Sequence, residues 1–464
     1  MTHAVTRLRL PTITTQADCW GTPDGMPYAW WLTLAVDAEH LDRAQLTAAL
    51  GLVVNRHESL RVVPVPGARG REQYLLDTAD VPVYVMDIAT DPSWREVDGR
   101  PWPSERPRWV AGLVEAPLRK LVLKVCHSVS DQLGLLLLAS DLTHAIRSIA
   151  YGRPLSWRLP ASFVRIALDE GSPAGQARLQ RNNKFVAEAF APGWVQKPMR
   201  PRGGERRLIQ VGIAISEQSH RRFIAAAREI GVPWQSLIRA AFVKADQLVQ
   251  ASGNVRLQSL EHNRNDEQRR RCVANFASYL PVLINGAHAL ALAPKDWARQ
   301  LDSQLQAASA CWPVSDLTLA DSGLGVEDSL RDGDGVPIYA PHLEVDTSSS
   351  TLHTPTIIPG HGDRVGTIGS ISTLWRATEL VLYRRPGEIV LELSDDTRRR
   401  SPDALRLLAT CLLGVIHDYA AITGHPASRV LADASALRCT VGPRPQLDWP
   451  GDELIALMPE PTEV

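Results

Sequence analysis

A chain of 464 residues, 44% apolar and 22% charged, is too long for one compact core, suits two lobes, and does not have the make-up of a disordered protein. Its 50 Lys and Arg against 51 Asp and Glu leave a net charge of -1, which excludes a general binder of nucleic acid or of an anionic membrane. Six scattered cysteines (Cys19, Cys126, Cys272, Cys311, Cys411, Cys439) form no C-x-x-C pair, so neither a disulfide framework nor a metal site is expected.

Apolar residues at Leu46, Leu50, Val53 and Val54 predict a helix over 41–56. A strand at 61–65 is stopped by Pro66 and Gly67, and a second at 73–76 follows the Gly-rich turn, as in a hairpin. Residues 109–115 and 119–127 read as another antiparallel pair. A strongly apolar helix at 133–150 has Asp131 placed as its N-cap and is ended by Gly152 and Pro154. The stretch 174–204, rich in Arg, Gln and Asn, reads as a crossover between lobes. Beyond it the pattern predicts a strand at 207–215, helices at 217–230 and 234–250, strands at 275–285, 371–383 and 388–394, and an amphipathic helix at 402–422. Long loops are expected within 322–362, and a loose acidic tail after about 445. The pattern is α+β (mixed α/β), with an N-terminal lobe over 1–175 and a crossover and C-terminal lobe over 176–464. No signal pattern opens the chain and no run of about 18 apolar residues stands out, so the expected location is cytoplasmic, with no membrane partner.

The stretch richest in chemistry is Cys126-His127-Ser128-Val129-Ser130-Asp131-Gln132. Side chains alternate along a strand, so Leu121, Leu123, Val125 and His127 share one face, and Val122, Lys124 and Cys126 share the other. His127 then emerges at the strand's end, while Cys126 points elsewhere as a small, buryable side chain. An imidazole moves protons near neutral pH, and general-base help is worth roughly 10²–10⁴ in rate. Asp131 caps the helix, pairs with a distant Arg to fix the loop, or does both. Ser128 and Ser130 read as loop hydrogen-bonders or pocket lining. No phosphate-binding Gly-rich loop, His-Glu-x-x-His or Gly-x-Ser-x-Gly is present.

The seven residues resemble, with Cys126 for the leading His and Gln132 for the closing Gly, the His-His-x-x-x-Asp-Gly signature of nonribosomal-peptide condensation domains and their acyltransferase relatives. Other segments resemble family motifs in the same order. They are Thr14-Thr15-Gln16 with Trp20, the run Asn55-Arg56-His57-Glu58-Ser59-Leu60-Arg61, the segment Val273 to Leu283 around Asn275, Phe276, Leu280 and Pro281, and Glu392-Leu393-Ser394-Asp395 before the 402–422 helix. The resemblance implies the chloramphenicol-acetyltransferase-like fold, two lobes in a V with a tunnel between them, in a free-standing condensation-type protein. It implies an enzyme of natural-product biosynthesis that joins a carrier-bound acyl or aminoacyl thioester to an amine or hydroxyl acceptor. No bound cofactor is expected, because the substrate arrives on the phosphopantetheine of a carrier protein or on coenzyme A. Carried over by position, His127 is the catalytic His and Asp131 the structural acid, with Arg264 chosen as its partner across the lobes and Arg56 and Arg61 as alternatives. Cys126, Gln132 and Ser130 are motif variants and possible tunnel lining. His57 reads as structural, and His262 and His361 as surface or loop residues. The run Arg269-Arg270-Arg271 reads as solvated or as a contact for an acidic carrier helix. A coenzyme A-dependent acyltransferase of the same fold, or a non-catalytic recruitment module, are the competing implications.

Overall fold

The computed structural model describes residues 7–16, 31–66, 68, 72–91, 94, 105–115, 119–190, 208–250, 254–314, 338–340, 356–357, 378–385, 388–396, 400–421 and 438–441. In its first half, strands β1 (Arg7–Pro11), β2 (Trp31–Asp37), β3 (Val62–Pro64), β4 (Glu72–Leu76), β5 (Val85–Asp87), β6 (Trp109–Val114) and β7 (Lys120–Cys126) alternate with helices α1 (Arg43–Arg56) and α2 (Gln132–Ala150). Helices α3 (Phe163–Gly171) and α4 (Pro173–Phe190) follow. The second half runs β8 (Leu208–Ser216), α5 (Glu217–Ile230), α6 (Trp234–Gln250), β9 (Asn254–Glu261), β10 (Ser278–Asn285), α7 (Pro294–Ser309), β11 (Ile338–Ala340), β12 (Thr356–Ile357), β13 (Glu379–Arg385), β14 (Glu388–Asp396), α8 (Pro402–Ala421) and β15 (Arg438–Val441).

Three sheets organise these elements: β1-β4-β3, β12-β2-β7-β6-β5 and β10-β9-β11-β13-β14-β8-β15. In the five-stranded sheet β7 is central, antiparallel to β2 (Leu34↔Leu123) and to β6 (Leu113↔Leu121). Alternation decides its two faces. Leu121, Leu123 and Val125 join Leu34 and Val36 against Leu46, Leu50 and Val53 of α1 and Leu135, Leu138 and Leu142 of α2. Val122 and Cys126 turn the other way, to Ala35, Met86, Ile88, Trp94 and Val110. Each fully buried Leu or Val contributes about 1.5–3 kcal/mol, so a one-residue slip of β7 would forfeit the helix-facing core. In the second half, Val211, Ile213, Leu391 and Leu393 of the seven-stranded sheet face Phe223, Phe242, Trp297, Leu412 and Tyr419 from the helices.

Several expectations change. The stretch 174–204, expected as a crossover between lobes, is helical as far as 190. Pro173 sits at the start of α4, where its missing N–H costs nothing, Ser172 Oγ accepts the Gly175 N–H at 3.1 Å, and Val186 is buried against Val314. Residues 191–204 and the tail after 445 lie outside the described residues. The expected loop region 322–362 contains the short strands β11 and β12, and β12 pairs with β2 of the first half (Thr356↔Ala35). The strand expected from 371 is described from 379, and residues 371–377 lie outside. α2 is long and apolar enough to cross a membrane by length and composition. Its buried arc of Gly134, Leu135, Leu138, Ala139, Leu142, Ala145 and Ile146 instead lies in the core against the sheet.

Candidate functional site

β7 ends at Cys126, one residue earlier than expected, and His127 opens a tight turn that delivers the chain to α2. The Cys126 carbonyl accepts the N–H groups of Val129 (2.9 Å) and Ser130 (3.3 Å), which closes the turn. Val129 drives into the helix-side core beside Leu135 and Val273, leaving His127 partly exposed next to a buried anchor. Ser128 Oγ donates to Cys126 Sγ at 3.0 Å, so the thiol is engaged on the far face of the sheet.

Asp131 holds this turn to the second half of the chain. It is the N-cap of α2, with Oδ1 accepting the Gly134 N–H at 2.7 Å. The same oxygen takes Arg264 Nη2 at 2.6 Å, and Oδ2 takes the Phe276 N–H at 3.0 Å. Its own N–H donates to the Ala274 carbonyl at 3.2 Å. Arg264 also donates through Nη1 and Nη2 to the carbonyls of Ala274 (3.0 Å), Cys272 (2.7 Å) and Arg269, and its guanidinium lies 4.9 Å from the Phe276 ring centroid. Asp131 is 1% exposed and Arg264 7%, so this ion pair is buried, with both carboxylate oxygens and both Nη atoms hydrogen-bonded and the Arg264 Nε left without a partner among the described residues. Of the three arginines considered, Arg264 is the one that reaches Asp131. Arg56 donates to Asp141 at 2.7 Å, and Arg61 to the Leu76 carbonyl at 2.7 Å.

The polar and charged side chains of Arg56, His57 and Glu58 go into scaffolding. His57 Nε2 donates to Asp141 of α2 at 2.8 Å, and Glu58 accepts Ser162 Oγ and the Val164 N–H at the start of α3. Arg269, expected in solvent, is instead drawn in: it pairs with buried Glu170 at 3.1 Å and stacks 5.0 Å from the Trp312 ring centroid.

Burial pushes the His127 pKa below its ordinary value, against a hydrogen bond from the ring to the residue's own backbone and the negative charge of Asp131, which both favour the protonated ring. The imidazole is therefore neutral, and able to accept a proton, at neutral pH. Asp131, by contrast, has both oxygens committed to held donors and no role as a base follows from its geometry.

Cys126 (2% exposed) and Ser130 (0%) line no open space, which corrects the expectation of a lining role for them: one faces the opposite core and the other is sealed between the turn and α2. Gln132, on the first turn of α2, is partly exposed and remains beside the motif's open side. His262 is partly buried, and His361 lies outside the described residues. Among the described residues, no group of three or more His, Cys, Asp and Glu side chains is placed to hold a metal ion.

Three parts of the site were missed from the sequence. Gly134 is needed for close approach, since a Cβ there would meet Ser130 Oγ at 2.3 Å and Ala274 O at 3.3 Å. A glycine inside an otherwise strongly helical run was the available signal, being about 1 kcal/mol worse than Ala unless something requires it. Asn263 adopts φ 52°, a left-handed conformation Asn tolerates, and its Nδ2 donates to the Phe276 carbonyl at 2.8 Å. The Phe276 N–H, a backbone group, carried no sequence signal at all.

No family model matches the chain. It is 27% identical over 263 residues, 52% of its length, to the probable nonribosomal peptide synthetase CymA of Salinispora arenicola, but that match spans 3% of that far longer protein. Its structure is similar to the first condensation domain of the calcium-dependent antibiotic synthetase, with a TM-score of 0.63 at 16% identity, covering 93% of this chain and 99% of that one. It is also similar to the cyclization-docking bidomain of EpoB from Sorangium cellulosum, with a TM-score of 0.61 at 20% identity, covering 91% and 86%. The chain has the condensation-domain fold, built of mixed helices and sheets.

Proposed function

We propose that this chain, with its condensation-domain fold, joins an acyl or aminoacyl group held as a thioester on a carrier protein to an amine or hydroxyl acceptor, forming an amide or an ester. The observation that carries this reading is the buried Asp131–Arg264 pair, which fixes the turn presenting a neutral, partly exposed His127. In the reaction the acceptor nitrogen or oxygen attacks the thioester carbonyl carbon. His127 takes the proton that the acceptor loses, or orients the acceptor lone pair toward the carbonyl. The tetrahedral centre then collapses, the carbon–sulfur bond breaks, and the leaving thiolate takes up the proton the acceptor lost, from His127 where it acts as base and from the acceptor itself where His127 only orients it. A thioester is already activated, so no bound cofactor is required, and much of the remaining acceleration comes from holding the two reactants in register.

The two departures from the motif bear on this chemistry unequally. Cys126 belongs to the core on the sheet's other face, so a Cys there leaves the space around His127 untouched. Gln132 adds a part-exposed amide where the motif has Gly, and it serves here to contact the substrate rather than to close the site. The test is product formation with one acyl group loaded on a carrier protein and on coenzyme A. Turnover from the carrier that drops by 10² or more in His127→Ala supports the proposal. Full product formation by His127→Ala sinks it, and preference for the coenzyme A donor replaces it with the small-molecule acyltransferase.

A further inference from the structure

Residues 151–162 have no regular secondary structure, yet they are pinned at several points. The Arg153 N–H and carbonyl both bond to Ser148, Arg56 donates to the Arg158 carbonyl, Arg271 to the Leu159 carbonyl, and Ser162 Oγ to Glu58. The Arg56 guanidinium also stacks 4.7 Å from the Trp157 ring centroid. On this fixed strap Leu159 is 84% exposed. A single exposed leucine is ordinary. This one is unusual in its surroundings: Arg158 is exposed beside it, and the side chains of Arg270 and Arg271 are 56% and 41% exposed. Glu267 is shared by Arg270 and Arg271 at 3.5 and 3.7 Å, which leaves the patch positive on a chain whose overall charge is -1.

We infer that Leu159, Arg158, Arg270 and Arg271 form the docking patch for the carrier protein that delivers the thioester, through an acidic helical surface with an apolar notch. A leucine standing this far out of the surface has a concave complement, which a macromolecule supplies and a small thioester does not. The guanidiniums select carboxylates around that notch, and charges at such a rim act mainly on association and on its salt dependence. The patch is also joined to the site. Arg56 pairs with Asp141 of α2, the helix capped by Asp131, and Arg271 precedes Cys272, whose carbonyl holds Arg264. This inference rests on the carrier-delivered reaction proposed above.

The experiment compares the same acyl group on a carrier protein and on free pantetheine, using Leu159→Asp and the pair Arg158→Glu/Arg270→Glu. Arg271 is left alone because it pins the strap. The expected result is a KM for the acyl-carrier raised tenfold or more, with turnover of the acyl-pantetheine within twofold of wild type, and a wild-type KM for the carrier that rises with salt. Unchanged KM for the carrier in both variants overturns the patch while leaving the proposed reaction standing. Wild-type protein that turns over neither thioester overturns the reaction and the patch together. A patch that binds a single-stranded DNA oligonucleotide more tightly than the carrier also overturns the assignment.

Discussion

Replacing Arg264 by Ala is the sharpest probe of how the site is held. The substitution removes the partner 2.6 Å from Asp131 Oδ1 and the donors to the carbonyls of Cys272, Ala274 and Arg269, all inside the protein. Asp131 keeps the Gly134 and Phe276 N–H groups, but its charge is left buried without a counterion. Breaking a buried pair from one side costs about 3–5 kcal/mol. Water entering the vacated volume offsets part of the carbonyl loss, at about 1–3 kcal/mol per group otherwise left unmet. We therefore expect a loss of about 3–5 kcal/mol, a large fraction of the roughly 5–15 kcal/mol by which folded domains are stable. Urea unfolding followed by tryptophan fluorescence measures it, together with Asp131→Asn and the double variant. Because the two side chains act as one unit, the double variant should lose less than the sum of the singles, by about 0.5–3 kcal/mol. Where the singly substituted proteins remain folded, kcat should fall about 10²-fold with KM little changed, since a displacement near 1 Å of the His127 turn is enough for that. Wild-type stability in Arg264→Ala, or strict additivity in the double variant, would refute the reasoning.

Gly134→Ala should destabilise by about 1–3 kcal/mol despite Ala's better helix propensity, because the new methyl meets Ser130, Ala274 and Arg264. Gly51→Ala and Gly414→Ala, whose Cβ atoms meet nothing within 4 Å, should each stabilise their helices by about 0.5–1 kcal/mol; thermal melts that reverse this order contradict the packing described. The rate should rise with pH to a plateau whose midpoint lies below the ordinary histidine value of about 6.5, because burial holds His127 neutral, and a midpoint above 7 argues against His127 as the base. Stability should fall as the pH is lowered: burial lowers the pKa of both His57 and His127 in the folded state, so the unfolded chain binds more protons as pH drops below about 6.5, and denaturation midpoints between pH 7 and 5 read the loss. Cys126→Ala should keep turnover within a few-fold of wild type, since the thiol faces the opposite core; loss of all activity with the fold intact would return Cys126 to the chemistry.

Much of the frame was legible because local patterns carry it. The alternation in 119–127, the cap at Asp131 and the apolar run after it yield β7 and α2 within one residue at each boundary, and α5, α6 and α8 follow from their 3.6-residue spacing. Strands β2 and β9 were missed. β2 is a central strand between β12 and β7, and β9 lies between β10 and β11, so the partners that define them come from distant sequence. Helix α4 hid behind its polar composition: little of it faces a core, and Val186 reaches its partner Val314 only across the fold.

For the site, the sequence by itself determined the chemical inventory. It placed an imidazole at the end of a strand, a carboxylate at a helix start, and a Cys that strand alternation turns away from both. Those are consequences of backbone periodicity, which acts over a few residues. Only the tertiary structure decided what holds them. It set Arg264 rather than Arg56 or Arg61 on Asp131, brought the Phe276 N–H and the Ala274 carbonyl to the same turn, and demanded a glycine at 134. The lowered pKa of His127 is likewise a consequence of burial, which the assembled fold decides and the local sequence does not. A buried charge is tolerated only when all of its donors converge, and that convergence is a matter of distances in space that no local pattern encodes.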